Sequence, residues 1–149
     1  MDSVKGEIEG LNIRKFRMED YSSVLELWKL AGLTIRPGDE RDDVRLKLQR
    51  DPELFLVAEE NGEIVGTVMG AWDGRRGWIY HLAVRPNQQR KRIGTTLLGE
   101  VENRLIAIGA KKVNAQVYSS NHRSLDFFKA AGYQAQPDLV MIGKYLRGT

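Results

Sequence analysis

The chain has 149 residues, 42% hydrophobic and 29% charged, with no cysteine, two histidines and a net charge of +3 at pH 7. This length is enough for one domain with a proper core, and the composition excludes disulfides, thiolate metal sites and a cysteine nucleophile. With imidazole available only at His81 and His122, no protein-built metal site is expected.

In chain order, residues 1–10 (MDSVKGEIEG) are polar and glycine-bearing and read as a flexible leader. They contain no apolar signal-type region, and no apolar run approaches membrane-spanning length, so a cytoplasmic chain without a membrane partner is expected. Residues 11–149 read as one domain. LNIRKF (11–16) alternates as a strand does. Tyr21, Val24, Leu25, Trp28 and Ala31 fall at helical spacing, and Gly32 stands where a helix would end. RPGDE (36–40) is a turn with Asp39 as an N-cap, followed by a short charged helix carrying Val44, Leu46 and Leu48 that stops before Asp51-Pro52.

LFLVAEE (54–60) and EIVGTVMGAW (63–72) flank Asn61-Gly62, a hairpin signal suited to a type I′ turn. WIYHLAV (78–84) is a third strand, on which simple alternation puts Trp78, Tyr80, Leu82 and Val84 on one face and His81 and Ala83 on the other. Ile93, Leu97, Val101, Leu105 and Ile106 trace one face of a long helix ending at Gly109. KVNAQVY (112–118) is the next strand. Asn121 can cap a helix carrying Leu125, Phe128 and Ala131, ended by Gly132, and LVMIGKYL (139–146) reads as a last strand. The order β-α-α-β-β-β-α-β-α-β implies an α+β fold whose mixed sheet is antiparallel early and partly parallel later.

The positive charge is concentrated. Arg85, Arg90, Lys91 and Arg92 crowd one loop, and the stretch NQQRKRIGTTLL (87–98), which carries the last three, feeds directly into a helix N-terminus. Unpaired N–H groups of a first helical turn, with the positive end of the helix dipole, suit an anion such as a phosphate. One basic loop favours a local anion site over a nucleic-acid-binding face, and no nucleic-acid partner is expected.

HLAVRPNQQRKRIGTTLL (81–98), followed further on by NHRSLDFFKAAGY (121–133), resembles the GNAT N-acetyltransferase superfamily. The resemblance covers roughly residues 11–146 and is nearest to small members of the ribosomal-protein-alanine acetyltransferase type. The opening Arg14 to Glu19-Asp20 and the NGEIVG hairpin are similar to the family as well. The resemblance implies a central sheet splayed between WIYHLAV and KVNAQVY, with acetyl-coenzyme A as cofactor. The pantetheine arm would lie against the backbone of Leu82, Ala83 and Val84, where an N–H would hold the thioester oxygen. The pyrophosphate would be held by Gln89, Arg90, Lys91, Arg92, Ile93, Gly94 and Thr95.

Two positions depart from the family's pattern. Its first loop glycine is Arg92 here; if a left-handed backbone is needed there, a non-glycine residue costs about 1–2 kcal/mol. The family's tyrosine, credited with protonating the departing thiolate, is Phe128, which keeps the ring without the donor. Asn121 matches the family residue that touches the pantetheine arm, and also suits an N-cap.

The reaction implied is direct transfer of acetyl to a primary amine, of a peptide N-terminus or a small molecule, without a covalent intermediate. The ammonium must lose a proton. Glu59, Glu60, Tyr80 and His81 are candidate bases, with Tyr80 and His81 first because their strand lines the cleft. Tyr80 and Tyr118 are candidate proton donors. A tyrosine on a strand, as at Tyr80, is more often core than catalytic, and a lone histidine such as His81 more often structural. Phe128 supports an alternative, a non-catalytic acyl-coenzyme A binding or sensing module. A monomer and a homodimer fit the sequence equally.

Overall fold

In the computed structural model, residues 10–88 and 92–147 are described, so all of the expected leader except Gly10 lies outside them. The chain divides into Met1–Ala115 and Gln116–Thr149, each taken here by itself.

The first unit is built on a five-stranded sheet: β1 (Leu11–Lys15), β2 (Phe55–Glu60), β3 (Glu63–Trp72), β4 (Gly77–Val84) and β5 (Val113–Ala115). The strands lie in the order β1-β2-β3-β4-β5. The first three pairings are antiparallel and β4–β5 is parallel. The β2–β3 hairpin turns on Asn61 and Gly62 at φ 52° and 78°, the two positive angles that a type I′ turn requires. Short 3-10 helices occupy Met18–Asp20 and Pro86–Gln88. The α-helices of this unit are α1 (Tyr21–Leu30), α2 (Arg41–Arg50) and α3 (Ile93–Ala107).

The sheet buries both faces. On one, Val24, Leu27 and Trp28 of α1 and Val44 of α2 pack with Phe55, Val57 and Met69, and Phe16 stacks on Phe55 at 4.1 Å. On the other, α3 presses Ile93, Leu97, Val101 and Leu105 onto the glycines of β3 and β4. A Cβ at Gly66 would stand 2.9 Å from both Ile93 and Leu97, and one at Gly77 2.7 Å from Leu105. Ile106, read from sequence as part of this stripe, is 65% exposed. The buried Ile93, Leu97, Leu98, Val101 and Leu105 span an arc of about 140° around the helix, and Ile106 falls about 80° beyond its edge.

β4 corrects the alternation read from its sequence. Met69 pairs with Tyr80 but Thr67 pairs with Ala83, so three steps along β4 match two along β3. This is a bulge of one extra residue, and His81 takes it up at φ 49°. Beyond the bulge the faces exchange. Ala83 now shares the face of Tyr80 and joins the cluster around Trp28 and Met69, while Val84, opposite Gly66, turns toward the side of α3.

β5 is shorter than expected, 113–115 rather than 112–118. In the second unit, α4 (His122–Ala130) begins as expected, with the Asn121 side chain accepting from Ser124 N–H at 3.1 Å. It ends at Ala130, and past it Gly132 takes φ 96° and Tyr133 N–H returns to the Phe128 carbonyl at 2.9 Å. The expected last strand, 139–146, is a correction: no strand is assigned there. Apolar β-rich composition supplies propensity, but a strand exists only within a ladder, and these residues ladder to no strand among those described.

Candidate functional site

Two backbone features of the first unit converge on the stretch singled out by sequence. The first is the start of α3. Arg92 is its N-cap and has φ 61°, ψ 22°, a left-handed conformation in a residue with a Cβ. Its carbonyl accepts from Thr96 N–H at 3.0 Å and from Thr96 Oγ1 at 2.9 Å. Like any first turn, that of α3 leaves the N–H groups of Ile93, Gly94 and Thr95 without intrahelical acceptors. The Arg92 side chain does not cap them and the first turn holds no acidic residue, so among the described residues of this turn no carboxylate opposes an anion. The expected phosphate contacts at Gln89, Arg90 and Lys91 lie outside the described residues.

The second feature is the edge of β4. Its parallel ladder with β5 runs only from Gly77–Val113 to Ile79–Ala115, whereas β4 continues to Val84. Past Ile79, the stretch carrying the bulge and the candidates Leu82, Ala83 and Val84 is laddered to β3 and not to β5.

His81, placed at the bulge, turns toward the α1 side of the sheet. Its Nε2 lies 2.7 Å from Asp39 Oδ1, and its ring meets Trp28 edge-on at 4.7 Å between centroids. The imidazole is 23% exposed and the Asp39 side chain 9%. Asp39 is held from several directions. Its Oδ2 accepts from Arg36 N–H at 3.0 Å, and its carbonyl accepts from the Tyr21 hydroxyl at 2.8 Å. Burial pushes the Asp39 carboxyl up, but the hydrogen bonds from His81 and Arg36 N–H outweigh it and hold the group below the usual carboxylate range. Trp28 is fully buried and its indole N–H has no acceptor among the described residues, an arrangement that costs about 1–3 kcal/mol.

Tyr80 lies half-buried against the α1-side core. Burial, with the charge of Asp73 adding to it, raises its phenol above the ordinary value, which suits a proton donor better than a base. Glu59 is committed elsewhere: Arg14, bonded to Asp20, also reaches it at 3.4 Å. Tyr118, Asn121 and Phe128 belong to the second unit. There Phe128 packs edge-on against Phe127 and Tyr133 at 5.3 and 5.1 Å between centroids.

Sequence reasoning missed Asp39. It reads as an N-cap, yet Glu40 is the N-cap of α2. A Pro-Gly-Asp turn gives no sign of a partner 42 positions onward; only the bulge aims His81 at it.

The Acetyltransferase (GNAT) family matches residues 18–133. An acetyltransferase of Yersinia pseudotuberculosis is 41% identical over 137 residues, covering 91% of this chain and 96% of the relative. The crystal structure of the PaiA N-acetyltransferase of Thermoplasma acidophilum in complex with coenzyme A is similar at a TM-score of 0.78 and 20% identity, over 85% of this chain and 91% of that one. The ribosomal-protein-S18-alanine N-acetyltransferase of Escherichia coli shares the fold at a TM-score of 0.70 and 16% identity, over 85% and 79% of the two chains.

Proposed function

The chain belongs to the acetyltransferase (GNAT) family, an enzyme family that uses acetyl-coenzyme A, and from that premise we propose that residues 11–149 act as one cytoplasmic N-acetyltransferase domain moving acetyl directly to a primary amine. The observation that carries this reading is the bulged end of β4, unladdered to β5 and followed in sequence by a helix start that its N-cap side chain leaves open and whose first turn has no acidic residue.

The cofactor supplies an acetyl group activated as a thioester. In this reading the backbone of Leu82, Ala83 and Val84 receives the pantetheine arm and offers an N–H to the thioester oxygen. The stretch from Gln89 to Thr95 holds the pyrophosphate on N–H groups and cationic side chains. Asn121 keeps the pantetheine contact that the family resemblance implies, and Phe128, without a proton to donate, is left a cofactor-binding role through its ring. His81 takes the proton of the acceptor ammonium, and Tyr80, kept protonated by burial, is the donor, with Tyr118 as the other candidate. An acceptor of the protein α-amine type is the narrower form of the proposal and rests on likeness of fold alone.

Calorimetric titration with acetyl-coenzyme A, using adenosine diphosphate as charge control, tests the cofactor half. Saturable one-to-one binding clearly tighter than the control is expected. An amine panel (a peptide beginning with alanine, free lysine and spermidine), read by mass shift, tests transfer. Binding without any acetylated amine would leave the binding-module alternative, and binding no better than the control would overturn the reading.

Three variants report on the roles. Arg92→Gly relieves the left-handed strain and is expected to raise stability by about 1 kcal/mol in thermal melts. It should also weaken coenzyme A binding and flatten its salt dependence; tighter binding at every salt concentration would end the idea of a guanidinium–phosphate contact. Tyr80→Phe and His81→Ala should lower kcat/KM about tenfold or more. Unchanged rates in both would remove these side chains from the mechanism.

A further inference from the structure

Three costly features meet at one point of the first unit. His81 holds a left-handed backbone without being glycine, Asp39 is a buried carboxylate, and the Trp28 indole N–H is buried without an acceptor. A tie between the 36–40 turn and the sheet could be made from apolar side chains without these costs. Strain and imperfectly satisfied polar groups concentrated at one place are the mark of a site kept for its chemistry.

We propose that Asp39 is a positioning residue that fixes His81 as its Nε2–H tautomer, leaving Nδ1 as the basic nitrogen for the acceptor amine. The inference rests on the reading of His81 as base given above and adds the group that makes it one. Nε2 lies 2.7 Å from Asp39 Oδ1, and an ionised carboxylate only accepts, so the ring proton belongs on Nε2. Nδ1 has no partner among the described residues, and the ring is partly exposed. As base, the imidazole forms an Nδ1–H bond while one N–H bond of the acceptor ammonium breaks. The amine keeps the electron pair, the ring becomes imidazolium, and the Asp39 carboxylate beside it stabilises that charge. The bulge is necessary to the device, since without the extra residue His81 would not meet a turn on the α1 side. Charged or titratable groups about the pair include Arg36 beside Asp39, Tyr21 against its carbonyl with Arg41 over the Tyr21 ring, Glu40 and Asp43 at the start of α2, and Tyr80 next along β4.

The experiment has a spectroscopic and a kinetic arm. In full-length protein labelled with 15N-histidine, His81→Gln assigns the two histidines. At a pH of about 9, where a free imidazole is neutral, wild-type His81 should show protonated Nε2 and bare Nδ1. Asp39→Asn, which can still accept from Arg36 N–H, should shift that pattern toward the Nδ1–H form. In the kinetic arm, with the best amine of the panel, Asp39→Asn should lower kcat about tenfold or more while leaving KM for acetyl-coenzyme A nearly unchanged. In a His81→Ala background the same change should cost less than about twofold, because a group acting through His81 has nothing left to act on. A bare Nε2 in the wild type, or equal losses in both backgrounds, would overturn the proposal. A wild type that binds the cofactor yet acetylates no amine would overturn the transfer reading, and the base role with it, whatever tautomer the spectrum shows.

Discussion

Valine at Gly70 is expected to destabilise the first unit by more than about 3 kcal/mol, a large part of the 5–15 kcal/mol typical of a domain. The reason is space. A Cβ at Gly70 would stand 2.6 Å from Val101 Cγ2, 3.1 Å from the Leu54 carbonyl oxygen and 3.2 Å from Leu54 Cβ. One neighbour is fully buried on α3; another is the backbone oxygen that already accepts Gly70 N–H at 2.8 Å. The Gly70 carbonyl also receives Lys47 Nζ, which is bonded in turn to Asp51, so a backbone shift would disturb α2 as well. Alanine, with less to place, should cost about 1–3 kcal/mol. The diagnostic comparison is with Val101→Ala, a cavity change worth about 2 kcal/mol alone. If close approach is the cause, Gly70→Ala with Val101→Ala should be at least about 1 kcal/mol more stable in urea than the sum of the singles predicts. Additive losses would mean that glycine serves the strand backbone and not the packing of α3.

The same contacts show which parts of the fold the sequence disclosed. Local chemistry was legible: Asn61-Gly62 demanded a particular turn, Gly32 and Gly132 ended helices, and Leu97 and Val101 faced the sheet. Each depends on a few neighbouring residues. The bulge was not legible, because WIYHLAV alternates well enough to pass for a regular strand, and the extra residue shows only in its register with β3. Asp39 was hidden for that reason, since its partner is chosen by the bulge. The strand expected at 139–146 failed from the opposite direction, as β-like composition was taken for pairing. Arg92 was read conditionally, and its left-handed backbone meets the condition: the position has a conformation that glycine adopts without strain. The helix start at Ile93 and the strand over 78–84 were legible as elements, whereas the His81–Asp39 contact needed three dimensions.

Removing the Asp20 carboxylate is expected to cost about 2–4 kcal/mol at neutral pH. Arg14 donates to it at 2.8 and 3.0 Å, and Arg17 N–H adds a third bond at 2.8 Å. Both partners are largely buried, with side chains 17% and 9% exposed. Asp20→Ala therefore strands a guanidinium whose remaining carboxylate, Glu59, is 3.4 Å away and more exposed. Glu59→Gln, by contrast, should cost less than about 1 kcal/mol. The pH dependence separates charge from shape. Burial alone would raise the Asp20 carboxyl, but the bonds from Arg14 and Arg17 N–H leave it below its ordinary value. A carboxyl lowered in the folded state contributes its full stabilisation above the unfolded value of about 4 and loses it as pH falls through the folded one. Asp20→Asn, which keeps the size and one acceptor oxygen, should therefore differ most from wild type near neutrality, and the gap should close as Asp20 takes up its proton in acid. A gap that stayed constant down to the acid limb would assign the loss to packing at the start of α1, and the ion pair would then be incidental to stability.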